Sequence, residues 1–162
     1  MKTVAIVSRK GGAGKTTLTV HLAVAASVKG KEVAIIDLDP QASAAGWGDS
    51  RTADTPAVVS AQAARLPKVL ETAALAGADL AIIDTAPHSE TAALAAIRAA
   101  DLILIPCRPA ILDLRAISDT IDLVNLAKKT ATVVLNAVPP RGSLADEAVE
   151  ALASYGVTVA PI

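Results

Sequence analysis

The chain has 162 residues, with 15 Lys+Arg against 16 Asp+Glu, a net charge of −1. One cysteine, Cys107, and two histidines, His21 and His88, exclude an internal disulfide and a multi-cysteine metal or iron–sulfur site within one chain. Apolar residues make up 52%, almost all aliphatic, and the only aromatics, Trp47 and Tyr155, do not supply a stacking platform for single-stranded nucleic acid.

In chain order, Thr3–Ser8 is a β-branched run that ends in a glycine-rich loop. Gly14–Lys29 carries Leu18, Leu22 and Ala25 at helical spacing, with Gly30 where a C-terminal cap belongs. Residues 32–39 form an almost continuous apolar run before Asp37 and Asp39, which suits a parallel strand covered on both faces. Residues 40–59 are the least regular and read as a loop with a short helix around Ala42–Gly46. Ala61–Ala76 is helical, and Pro67 places its true start near Leu66. Residues 79–84 predict a strand, Ser89–Ala99 a helix and 101–106 a strand. Leu112–Lys128 predicts one long amphipathic helix, with Leu114, Ile117, Ile121 and Val124 on one face. A strand over 132–138, a helix over Ser143–Ser154 opening with the box Ser143-x-x-Asp146, and a strand over 156–162 complete the chain.

The pattern is β-α repeated about six times with short connections, so the expected class is α/β, a single domain over 1–162 with an open, mainly parallel sheet flanked by helices. Such a sheet normally covers its last strand with a further helix, so the fold is expected to be shortened at its C-terminus. No uncharged run approaches the ~20 residues of a membrane span, and the apolar run near the N-terminus is too short for a signal-peptide core. The expectation is a soluble, cytoplasmic protein with no membrane partner.

The strongest chemical feature is Arg9-Lys10-Gly11-Gly12-Ala13-Gly14-Lys15-Thr16-Thr17, set between a predicted strand and a predicted helix. That context makes it a phosphate-binding loop. The glycines let successive N–H groups turn toward phosphate oxygens, and the helix N-terminus adds partial positive charge. Lys15 is placed to reach the β- and γ-phosphates of a nucleotide, and the Thr16 hydroxyl to ligate Mg²⁺. The pattern G-x-x-x-x-G-K-[ST] departs at its first position, which is Arg9. Asp37, Asp39 and Asp84 stand at or just beyond the C-terminal ends of predicted buried strands, the edge where ligands bind in an open α/β sheet. Three carboxylates converging beside a phosphate loop point to a cation among them; singly, each could cap a strand end or a following helix.

Lys10-Gly11-Gly12-x-Gly14-Lys15-Thr16-Thr17 resembles the deviant Walker A motif of the ParA/MinD ATPases, marked by the extra lysine at position 10. Residues 35–41 (IIDLDPQ) and 81–87 (AIIDTAP) resemble two further motifs of that family, the second its Walker B segment. The likeness runs through PCRPAILDL and VVLNAVPPR and is closest to short plasmid-type ParA partition proteins. It implies an ATPase working with ATP/ADP and Mg²⁺. Gly11, Gly12, Ala13, Gly14, Lys15, Thr16 and Thr17 would hold the phosphates, and Asn136 the adenine. Asp39 would orient the attacking water. Asp84 would hold Mg²⁺ through a water, and Asp37 would support the metal and Thr16. Lys10 would cross an ATP-dependent homodimer to the partner's nucleotide. The implied function is a switch that binds non-specific DNA and is released by a ParB-like or small basic adaptor, associated with the nucleoid when ATP-bound, for partition of a plasmid, chromosome or other cargo.

Three other branches of the superfamily compete with this reading. Synthetase-like metabolic enzymes generally lack the lysine at position 10. A MinD-like membrane ATPase carries a C-terminal amphipathic helix that is not present in this sequence. A nitrogenase-like iron protein needs two cluster cysteines, which Cys107 alone cannot supply.

Remaining polar residues read as follows. Asn136 could equally be a strand-end turn residue. Arg108 and Pro109 either line the nucleotide or dimer surface or form the turn after a strand. Cys107 reads as a small buried hydrophobe. His21 reads as a helix-surface residue and His88 as a non-catalytic loop residue near the site. Trp47 reads as packing on its own loop.

Overall fold

A computed structural model describes residues 1–161 of the chain. Seven strands form one parallel sheet: β1 (Lys2–Ile6), β2 (Val33–Asp37), β3 (Ala57–Ser60), β4 (Leu80–Asp84), β5 (Leu102–Cys107), β6 (Thr132–Leu135) and β7 (Thr158–Val159), in the order β3-β2-β4-β1-β5-β6-β7. The helices are α1 (Lys15–Val28), α2 (Ser43–Asp49), α3 (Leu66–Leu75), α4 (Glu90–Ala99), α5 (Ile111–Ala116), α6 (Ser118–Leu126) and α7 (Leu144–Ala153).

The strands are continuous in apolar residues because both sheet faces are covered. Ile35 and Ile36 are neighbours that point to opposite faces, as are Ile82 and Ile83, and all four are buried. Ile36 and Ile83 join Ala5, Ala96, Ile97 and Val124 in one apolar cluster, beneath α4 and α6. Ile35 and Ile82 join Ile6, Ala23 and Ala44 in a second, beneath α1 and α2. The small residues Ala23 and Ala44 let these two helices approach the sheet closely.

Register sets up the site. Ile6, Asp84 and Asp37 are partners across β1, β4 and β2, so three strands end level and their following loops share one edge. β1 lies between β4 and β5, and the loop leaving it enters that edge centrally.

Several expectations are refined. The irregular stretch 40–59 hides β3, an edge strand of four residues pairing only with β2. Its short length and weak apolar alternation conceal it. The long helix over 112–128 is interrupted at Ile117, where the Ser118 hydroxyl donates to the Arg115 carbonyl at 3.1 Å and competes with the backbone ladder. The box at Ser143 does not form: its side chain caps no backbone N–H and its hydroxyl donates to Glu147 instead. The strand over 156–162 contracts to Thr158–Val159, and its last residue, Ile162, lies outside the described residues. Pro67 does open α3, preceded by one 3₁₀ turn over Ala63–Arg65, and Gly30 (φ 78) follows the end of α1. Among the described residues, no helix is long and apolar enough to cross a membrane.

Candidate nucleotide site

The loop between β1 and α1 is held from four directions. The Arg9 N–H donates to Thr120 Oγ1 at 3.1 Å, and the Lys10 N–H to Ser8 Oγ at 3.3 Å. Lys15 Nζ donates to the Lys10 carbonyl at 3.4 Å, and Asn136 Nδ2 to the Ala13 carbonyl at 3.0 Å. Gly12 (φ 75) and Gly14 (φ 95) occupy left-handed backbone that other residues enter only with strain. A Cβ added at Gly11 or Gly12 would meet nothing within 4 Å, so the outer face of the loop is open to a ligand. Gly14 is the N-cap of α1, and no acidic side chain in the first helical turn offsets the positive end of the helix. Thr17, the last residue of the motif, is exposed on that first turn.

Lys15 is only 6% exposed. Burial lowers the pKa of its ammonium, opposed by the charges of Asp84 and Asp39. Asp84 is fully buried, and Thr16 Oγ1 donates to its Oδ2 at 2.6 Å. Its Oδ1 is buried with no partner. Burial pushes the Asp84 carboxyl up to about 6; the neighbouring Asp37 adds to this, while the Thr16 hydrogen bond and Lys15 oppose it.

Asp37 is engaged by backbone donors. Its Oδ1 accepts the Asp39 N–H at 3.0 Å, and its Oδ2 accepts the Ala44 and Ala45 N–H groups at 3.0 and 3.1 Å. The carboxylate caps α2 and fixes the loop that carries Asp39. Among the described residues no group of three or more His, Cys, Asp or Glu could hold a metal ion, although the charges of Asp37 and Asp39 both act on Asp84. A hydroxyl and one carboxylate with an unused oxygen, beside an open phosphate loop, still fit Mg²⁺, which keeps several waters and takes few protein ligands.

Asp39 is half-buried and accepts the Gln41 N–H at 2.9 Å. It opens onto a groove of about 1210 Å³ whose lining includes Gln41, Gln62, Arg65, His88 and Ser89. His88 is exposed there at φ 58. The groove draws on β3 and α3, so only the fold brings Gln62 and Arg65 to this edge; no spacing in the sequence links them to the phosphate loop.

Arg108 forks onto Asp113, with Nε to Oδ1 at 3.1 Å, and so forms the turn after β5. Cys107 is buried, and burial pushes its thiol up to about 11, as an inert hydrophobe. His21 is exposed on α1. Trp47 does not pack on a loop: it lies within α2, packs against the Ile35–Ile82 cluster and carries the Arg51 guanidinium 3.9 Å from its ring centre.

Residues 4–162 match the CobQ/CobB/MinD/ParA nucleotide binding domain. The chain belongs to that family. It is a P-loop ATPase domain of the ParA/MinD type, a family that works with ATP or ADP and Mg²⁺. The chain is 39% identical over 153 residues to the "Maintenance of carboxysome distribution protein A" of Gloeobacter kilaueensis, covering 93% of this chain and 68% of that protein. It is 31% identical over 165 residues to the protein of the same name in Halothiobacillus neapolitanus, covering 97% and 76%. Among solved structures, apo McdA from Cyanothece superposes with a TM-score of 0.79 at 20% identity, over 99% of this chain and 84% of that one, a likeness of fold.

Proposed function

We propose that residues 1–162 form a single ATPase domain acting as a ParA-like switch that positions a large intracellular cargo. The observation that carries this is the relation to carboxysome-distribution proteins along 93% of the chain, joined to a lysine, Lys10, placed before the phosphate loop. The backbone of Gly11–Thr17 and the Lys15 ammonium bind the phosphates. Thr16 and Asp84 face the Mg²⁺, which when bound neutralises charge building on the phosphate oxygens. Asp39, held by Asp37, orients water for attack on the terminal phosphate. ATP shifts the chain from monomer to homodimer, with Lys10 reaching the second subunit's phosphates. The dimer binds non-specific DNA and gathers on the nucleoid, and a ParB-like or small basic adaptor stimulates hydrolysis and releases it to the cytoplasm.

Lys10 supports the dimer because Lys15 already serves the loop. Its carbonyl anchors the Lys15 ammonium, while its own side chain stays at the half-exposed rim. Light scattering with a non-hydrolysable ATP analogue tests this: wild type dimerises, and Lys10→Ala binds nucleotide but stays monomeric. Equal dimerisation of both defeats the cross-subunit role. DNA retardation with ATP but not ADP is the expected companion result, and equal retardation with both nucleotides defeats the switch.

A further inference from the structure

Asn136 follows β6, two strands from β1, yet its side chain ends on the phosphate loop, 123 residues away in sequence. The side chain is engaged at both ends: Nδ2 donates to the Ala13 carbonyl at 3.0 Å, and Oδ1 accepts the Ala137 N–H at 2.9 Å. The Asn136 backbone N–H donates to the Cys107 carbonyl at 2.8 Å, tying the base of the side chain to β5. The fit is close. A Cβ on Gly14 would lie 2.0 Å from Nδ2, so the amide occupies space that only glycine leaves open.

In a trans peptide, a carbonyl and the N–H that follows it point in opposite directions. Holding the Ala13 carbonyl toward Asn136 therefore turns the Gly14 N–H away from Asn136. Among the described residues, no backbone carbonyl accepts that N–H. We infer that Asn136 is a positioning residue of the phosphate loop: it locks the Ala13–Gly14 peptide so that the Gly14 N–H is presented to a bound phosphate, whatever base the nucleotide carries. This gives Asn136 a role distinct from an adenine contact. It rests on nucleotide binding at the loop and is independent of the cargo, dimer and DNA.

The test compares ADP with inorganic pyrophosphate, which has no base, both with Mg²⁺, by calorimetric titration of wild type and Asn136→Ala. Wild-type binding of ADP shows that the site itself works; its absence would count against nucleotide binding and not against the latch. The expected result is a loss of about tenfold for both ligands, the size of one hydrogen bond that orders a second. A loss for ADP with pyrophosphate unchanged, or no loss for either, overturns the inference. A measurement on the unmutated site covers the case where the variant does not fold. Asn125 and Asn136 are the only asparagines, so asparagine-selective ¹⁵N labelling of Asn125→Gln leaves one side-chain amide to follow. Its signals should shift alike with pyrophosphate and with ADP. A shift with ADP alone would overturn the latch.

Discussion

Asp37 and Asp84 end neighbouring parallel strands as register partners, each follows a pair of isoleucines, and they are 1% and 0% exposed. Their surroundings could hardly differ more. The chain after Asp37 turns back, so that Asp39, Ala44 and Ala45 all donate N–H groups to its carboxylate. The chain after Asp84 runs on toward α4, and its carboxylate receives only the Thr16 hydroxyl from across the sheet, with one oxygen unpartnered. Buried polar groups are normally paired, so the unpaired oxygen is left with capacity to take a ligand. Position at the strand end is common to both; the path of the following loop decides which carboxylate is scaffold and which is left for a ligand.

The largest effect expected from this contrast is on stability in Asp37→Ala. Removing the carboxylate leaves the Ala44 and Ala45 donors without their acceptor at the start of α2, a loss of about 3 kcal/mol. Urea unfolding measures it, and a loss below about 1 kcal/mol would break the contrast. Asp84→Asn should act in the opposite direction in the nucleotide-free protein. The Asp84 carboxyl titrates at about 6 against an ordinary 3.8, so the folded state holds its proton more tightly than the unfolded chain. That contribution is present below the unfolded value and is lost as pH rises through about 6. At pH 8 the asparagine variant should therefore be more stable than wild type by up to about 3 kcal/mol, and the gain should vanish near pH 4. Thermal melts across that range decide it; a difference independent of pH contradicts a strained Asp84.

Asp39→Ala sharpens the contrast further. Asp39 is carried by the loop that Asp37 pins, and in the proposed mechanism it acts on water and not on ground-state phosphate. Hydrolysis should fall by about 100-fold or more while ATP affinity changes little. A phosphate-release assay with wild-type turnover would remove Asp39 from the chemistry.

The parts legible in the sequence were those written in contiguous residues. The glycine-rich loop between a strand and a helix, and the parallel sheet, follow from apolar runs and from Gly12, Gly14, Lys15 and Thr16 read in order. The parts that were not legible depend on where separate segments meet. The backbone partners of Asp37 are hidden because a sequence does not show α2 folding its N–H groups back onto it. The bond from Asn136 to the phosphate loop is hidden too, because nothing in VVLN records the nearness of Ala13. β3 is hidden because an edge strand needs little apolar patterning, and the break at Ile117 because the apolar spacing of Leu114, Ile117, Ile121 and Val124 runs through it.

Lys15→Ala carries the smallest of these effects and tests how the two carboxylate environments are coupled. Lys15 is nearly buried, and the charges facing it are those of Asp84 and Asp39. In the proposed site its ammonium serves the phosphates in surroundings of low effective dielectric, so ATP affinity should fall at least about tenfold, or 1.4 kcal/mol, by calorimetric titration. A second consequence follows from the sign of the charge. Lys15 opposes the upward push on the Asp84 carboxyl, so its removal should raise that group above about 6 and move the pH-dependent loss of stability to higher pH. Melts of Lys15→Ala against pH should therefore show the transition displaced upward, and Lys15→Ala combined with Asp84→Asn should show no displacement. A shift that survives in the double variant would place the titrating group elsewhere and dissolve the pairing of Lys15 with Asp84.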